Sequence, residues 1–260
     1  MVVGLLSVAY GSGMEPTLIY GRHAVTEALR RRPEVVSRLI ATPEALTDPV
    51  INKLARTVAT VEPLGRRLPA GVSRDAVHQG LIAAIDTNQL LMPFKDFVAT
   101  LKPTADTVLV LLGEVQDPQN VGSIIRSAGA FGARAVLIPK HRQASLTGSV
   151  IKVSAGLAFS VPLVAVGNVN TALRTLKEQG FWTYALAGDG AANVHEEHFD
   201  RPSVFVVGNE GSGVREKTQA VCDTTLHVPI HPRAESLNAA VSTAAVLTVW
   251  SGQHPNSTTA

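Results

Sequence analysis

The sequence predicts an α/β protein, with a parallel sheet flanked by helices and a smaller α/β unit before it. Three observations lead there. From residue 107 onward, short apolar, β-branched runs alternate with helical segments, beginning with 107–112 and 121–130. Glycines stand where helices should stop, at Gly132 and Gly180. Residues 16–86 repeat the alternation on a smaller scale.

In chain order, residues 1–15 read as an N-terminal extension. They are mildly apolar but lack a charged leader region, and Met14 offers a second start. Residues 16–86 form the small unit. An apolar segment at 18–23 precedes a helix at 24–30, which Pro33 ends. A strand at 35–40, a helix at 49–57, a strand at 57–61 and a turn-strand at 78–85 follow. Residues 87–104 are expected to link the two units, with a helix at 94–101. Residues 105–252 carry the large sheet. Its strands are expected at 107–112, 135–138, 161–166, 182–187, 204–207 and 226–230, with helices at 121–130, 149–158, 171–179 and 213–220. The last helix, 239–250, has no charged residue and small side chains on every face, so it should be buried on more than one side. Ser236 stands in position to cap it. Residues 253–260 are a tail.

Bulk properties exclude several classes. The 260 residues carry 23 Lys+Arg against 21 Asp+Glu, a net charge of +2. A nucleic-acid footprint must therefore be local, as at Arg30-Arg31-Arg32 or Arg66-Arg67, each of which alone reads as a solvated face. The single cysteine, Cys222, precludes an internal disulfide and fits a reducing cytoplasm. No apolar stretch reaches the roughly 18 residues a membrane span needs. His195-Glu-Glu-His198 lacks the metalloprotease spacing and a third ligand, and reads as a solvated turn, so no metal is expected.

Three stretches can carry chemistry. Asp117-Pro-Gln-Asn120-Val-Gly-Ser-Ile-Ile-Arg126 opens a helix at a strand's carboxyl end, where Asn120 can cap and Arg126 can grip an anion at two points. Gly208-Asn-Glu210-Gly-Ser-Gly213 is a glycine-rich turn without the dinucleotide spacing or a P-loop lysine. Glu210 in that cradle argues for a neutral or cationic ligand. The third is Val228-Pro-Ile230 through Ser236-Leu237-Asn238.

Together, in this order, these stretches resemble the SpoU branch of the SPOUT methyltransferases, which methylate an RNA ribose 2′-hydroxyl with S-adenosylmethionine. Ile19-Tyr-Gly-Arg-His-Ala-Val-Thr-Glu-Ala-Leu29, His78-Gln-Gly80 and Ile151-Lys-Val-Ser-Ala-Gly156 resemble the group acting on a guanosine of 23S rRNA. The similarity spans about residues 16–252. It implies a C-terminal trefoil knot, a homodimer and an N-terminal RNA-binding unit touching RNA through Arg22, His23, Arg30 and Arg31. It also implies catalytic roles for Asn120, Arg126, Glu210, Ser236 and Asn238, with Arg126 at the RNA. Leu186, Ala187, Gly188, Gly208, Val228, Ile230 and Leu237 would hold the cofactor. A guanidinium stays charged, so Arg126 suits phosphate gripping and alkoxide stabilisation better than service as a base. The charged approach Arg233-Ala-Glu235 departs from that group's pattern. Alternatives are a tRNA or antibiotic-resistance rRNA ribose methyltransferase, or an RNA-binding ribosome-assembly protein with secondary catalysis.

Overall fold

The computed structural model describes residues 16–255 except Arg142; the expected N-terminal extension and most of the expected tail lie outside the described residues. The small unit is a four-stranded mixed sheet in the order β1-β4-β2-β3. It contains β1 (Thr17–Tyr20), α1 (Arg22–Arg31), β2 (Val36–Ala41), α2 (Pro43–Leu46), α3 (Pro49–Ala55), β3 (Val61–Pro63) and β4 (Leu81–Ile85). The expected strand at 57–61 is largely turn, and pairing begins only at Val61. The short helix α2, capped by Thr42, has no counterpart in the sequence reading.

The large sheet is wholly parallel and eight-stranded, ordered β10-β12-β9-β11-β6-β7-β8-β5. In chain order its elements are β5 (Leu91–Pro93), α4 (Phe94–Thr100), β6 (Val108–Gly113), α5 (Pro118–Ala130), β7 (Ala135–Pro139), α6 (Gly148–Val153) and β8 (Leu163–Val166). Then come α7 (Val169–Glu178), β9 (Trp182–Leu186), β10 (Ala192–Asn193), β11 (Ser203–Gly208), α8 (Glu216–Gln219), β12 (Thr224–His227) and α9 (Ala239–Gln253). The segment expected to be a linker thus supplies β5, an edge strand beside β8. Alternate residues of β6 enter different cores: Val108, Val110 and Leu112 face α5 and α9, while Leu109 and Leu111 face α4 and α7. The first of these cores continues without a break into the small sheet through Ile19, Leu39 and Leu81.

Helix starts correct two expectations. Asp117, not Asn120, caps α5: its carboxylate accepts from the Gln119 amide, and Pro118 sits at the first helical position. Asn120 therefore lies inside the first turn with its side chain released for other work. Likewise Asn238, not Ser236, caps α9, accepting from the Ala240 and Val241 amides. The helix runs on to Gln253, and His254 is buried, bonded to Asp106 and the Phe199 carbonyl. Helix α9 is not enclosed on all sides in one chain, because Val241 is 53% exposed. The helix expected at 213–220 shrinks to α8, since residues 209–213 close a loop of their own.

Candidate active site

The carboxyl ends of β9, β11 and β12 open into a cleft, where an open parallel sheet places its ligands. Leu186, Ala187 and Gly188 follow β9, Gly208 ends β11, and Val228 and Ile230 follow β12; Leu237 comes from the approach to α9. All seven line this one cleft. Ser236 lines it too, with Ala239, Ser242 and Val246 of α9, positions that sequence reasoning did not single out. A charge-free helix gave no signal that one face would border a ligand.

The loop after β11 is held at its base. The Asn209 amide donates to the Gly213 carbonyl at 3.0 Å, and the Gly213 amide donates back at 2.9 Å. A Cβ on Gly208 would collide with the backbone of Gly213 and Val214, so only glycine permits this closure. Asn209, also unforeseen, accepts from the Gly211 amide and donates to the Glu114 carbonyl at 3.1 Å. Its signal was present, for an Asx residue inside a glycine-rich turn is a ready turn former.

A chain of side-chain hydrogen bonds joins the three motifs. Asn238 donates through Nδ2 to Asn120 Oδ1 at 2.8 Å, and Asn120 donates through Nδ2 to Glu210 Oε1 at 2.9 Å. Glu210 also accepts from the Asp117 amide at 3.2 Å and the Gln116 amide at 3.4 Å. Asn120 is 6% exposed, so each half of its amide needs the partner it finds. Partial burial pushes the Glu210 carboxyl up. The bonds from Asn120 and from the backbone amides of Glu210, Asp117 and Gln116 outweigh burial and hold it below its ordinary value. Glu210 is the only ionisable side chain among the described residues lining the cleft.

Arg126 stands elsewhere. Six residues after Asn120, it is turned by about 240° on the helix. It is exposed and lines a separate groove between α5, α6 and the small sheet. The structure therefore unites Asn120, Glu210 and Asn238, leaves Ser236 exposed at the cleft, and does not bring Arg126 to them within one chain. The expected RNA contacts are largely engaged. Arg22 pairs with Asp48, Arg30 and Arg31 pair with Glu27 at 3.7 and 3.1 Å, and His23 Nε2 bonds the Ala155 carbonyl at 2.8 Å. His195 and His198 are exposed, and among the described residues no group of three His, Cys, Asp or Glu could hold a metal. Burial pushes the Cys222 thiol up to about 12, which disfavours the nucleophilic thiolate. No helix among the described residues is long and apolar enough to cross a membrane.

Comparison with known proteins decides the family. Residues 107–248 match the SpoU rRNA Methylase family, and residues 18–91 match the RNA 2′-O ribose methyltransferase substrate-binding family. The chain belongs to the SpoU rRNA methylase family. It is 34% identical over 232 residues to the 23S rRNA (guanosine-2′-O-)-methyltransferase RlmB of Vibrio cholerae, covering 88% of this chain and 94% of that protein. The protein of that name from Photorhabdus laumondii is 34% identical over 233 residues, covering 88% and 95%. Among solved structures, the SpoU methyltransferase AviRb of Streptomyces viridochromogenes, in complex with its cofactor AdoMet, shares the fold. Its TM-score is 0.73 at 23% identity, covering 92% of this chain and 90% of that one.

Proposed function

We propose that this protein transfers a methyl group from S-adenosylmethionine to the ribose 2′-hydroxyl of a guanosine in 23S rRNA, as a cytoplasmic homodimer. The observation carrying this reading is the charge of the cleft. Its wall is apolar at Leu186, Val228, Ile230 and Leu237, and its only ionisable residue among the described ones is Glu210, held ionised. Such a site suits a ligand with a cationic centre and a flat or aliphatic body, and repels a phosphate. S-adenosylmethionine fits that description. When bound, it supplies an electrophilic methyl group on its sulfonium.

The protein's own work is then positioning and charge stabilisation. Leu186, Gly188, Gly208 and Val228 would hold the cofactor with apolar surface and backbone groups. The Asn238–Asn120–Glu210 chain fixes the loop that closes one side. A ribose hydroxyl is a very weak acid, so transfer requires an alkoxide to be stabilised as it forms. The Arg126 guanidinium would grip the neighbouring phosphate and stabilise that oxygen, with phosphate or water taking the proton. Arg126→Ala should abolish transfer while calorimetry shows S-adenosylmethionine still bound. Retained transfer would overturn its role.

The same geometry supports the homodimer. Helix α9 carries no charged side chain on any face, and Val241 projects from its first turn, three residues after Asn238. A second copy covering this face would border both the cleft and α5, which carries Arg126. The C-terminal trefoil knot belongs to the same proposal, supported by the placement of β12 between β9 and β10 with α9 returning onto α5. Residues 16–86 would serve as the RNA-binding unit and 105–252 as the transferase. Mapping ribose methylation by mass spectrometry, in 23S rRNA from cells with and without the protein, tests the whole reading. An unchanged methylation map would refute it.

A further inference from the structure

Unneutralised positive charge gathers where the sequence did not place it. The groove that holds Arg126 runs between the small sheet and helices α5 and α6, with a volume of about 1010 Å³. Tyr20 of β1, Arg38 of β2, Arg126 of α5 and Lys152 of α6 line it, together with Gln119 and Ser149. Among the described residues, three cations line this groove and no carboxylate does. Arg38 meets Glu62 at 3.4 Å, but both side chains are more than a third exposed, so solvent screens the pair. Arg126 and Lys152 have no ion-pair partner among the described residues. The Lys152 ammonium lies 5.3 Å over the Tyr20 ring. The basic run at 30–32 differs in having carboxylates beside every arginine: Arg30 and Arg31, themselves solvent-exposed, share Glu27, and Arg32 pairs with Glu34.

The walls of the groove are fixed before any ligand arrives. Gly148 opens α6 against the Leu18 carbonyl of β1, where a Cβ would not fit. Gly122 of α5 lies against Val153 of α6, where a Cβ would come within 2.6 Å of the valine Cβ. His23 clamps α1 to the turn after α6 through the Ala155 carbonyl. These contacts pack β1 and α1 of the small unit against α5 and α6, which sets the Tyr20 ring beneath Lys152 in a groove that Arg38 and Arg126 also line.

We propose that this groove binds the RNA nucleotide flanking the methylated one. Lys152 and Arg38 take its phosphates, the Tyr20 ring takes its base, and the strand runs on to Arg126. Unpaired cations attract the phosphodiester, and an aromatic face accepts any unstacked base. The Lys152 ammonium, over the ring in the free protein, moves to the phosphate as the base arrives. The proposal rests on the methyltransferase reading, and its test separates the two.

The test uses the full chain, in vitro transcribed 23S rRNA and labelled S-adenosylmethionine. Lys152→Gln, at an exposed position, should raise KM for rRNA by roughly tenfold with kcat nearly unchanged, and should flatten the log–log salt dependence of RNA binding by about 0.7. Tyr20→Leu should raise KM by about fivefold or more, and Tyr20→Phe should restore it, because stacking needs the ring and not the hydroxyl. Calorimetry should show cofactor affinity unchanged in each variant, and Lys53→Gln on the outer helix α3 should alter nothing. If Arg31→Gln raises KM while Lys152→Gln does not, RNA crosses α1 and the proposal is overturned. If the wild-type protein methylates no rRNA, the methyltransferase reading fails first. Binding of a single-stranded RNA of about 10 nucleotides still decides the groove. Weaker binding by Lys152→Gln supports it, and unchanged binding overturns it.

Discussion

Replacing Asn120 with aspartate keeps the shape of the side chain and reverses one of its jobs. The Nδ2 donor now 2.9 Å from Glu210 Oε1 becomes an oxygen, so two carboxylates face each other in a mostly buried site. The lost charge-assisted bond costs about 1.5–3 kcal/mol. Like charges about 4 Å apart at an effective dielectric near 20 repel by about 4 kcal/mol, reduced here because Glu210 is partly solvated. Protonation sets a ceiling, since holding one proton at pH 7 costs a carboxyl about 1.4 kcal/mol per pH unit above its pKa, again about 4 kcal/mol in total. The variant should therefore lose about 3–5 kcal/mol at pH 7.5, a large share of a typical 5–15 kcal/mol. In the wild type the Glu210 pKa is depressed, so its contribution is present above the ordinary carboxylate value and fades as pH falls through the folded one. In Asn120→Asp one carboxyl of the pair has a raised pKa. Its protonated form bonds the other, so stability is regained as pH falls and lost as it rises. Urea unfolding at pH 7.5 and pH 5 should show the gap between the two proteins closing to about 1–2 kcal/mol at the lower pH. A gap that is absent at pH 7.5, or equal at both values, would refute the assigned role of Asn120.

Other expectations follow from single contacts. Gly208→Ala forces the loop after β11 open, because its Cβ would meet the Gly213 and Val214 backbone; S-adenosylmethionine affinity should drop by about tenfold or more at a temperature where the variant, though lowered in melting temperature, is still folded. Retained affinity in calorimetry would show that the loop's closure is irrelevant to the cofactor. Val241→Glu places a charge on the exposed face of α9 and should shift the protein from dimer to monomer in light scattering, at a cost of several kcal/mol of association energy. A dimer unaffected by that charge would move the interface elsewhere.

The alternation of apolar runs with helical segments made the parallel sheet readable, because a strand buried on both faces must be apolar throughout. Residues 108–113 and 203–208 show this in their own composition. The three motifs were legible for the same local reason: glycine, proline and amide residues at fixed offsets mark strand-end turns. Local sequence could not choose between two residues both able to cap. Pro118 moved the start of α5 to Asp117, and Asn238 displaced Ser236 at α9, which freed Asn120 to bridge α9 and Glu210. The three residues of β5 are too few to show a period, so that strand read as linker. Sequence alone thus determined the layered fold and the inventory of polar groups. Tertiary structure decided how they are spent, because partners 90 and 118 residues apart meet only through folding. It set Arg126 on a groove away from the cleft, committed His23 to a carbonyl and the α1 arginines to carboxylates, and left Lys152 with no carboxylate partner among the described residues. A charge acts by what lies within a few ångströms of it, and no linear spacing records that.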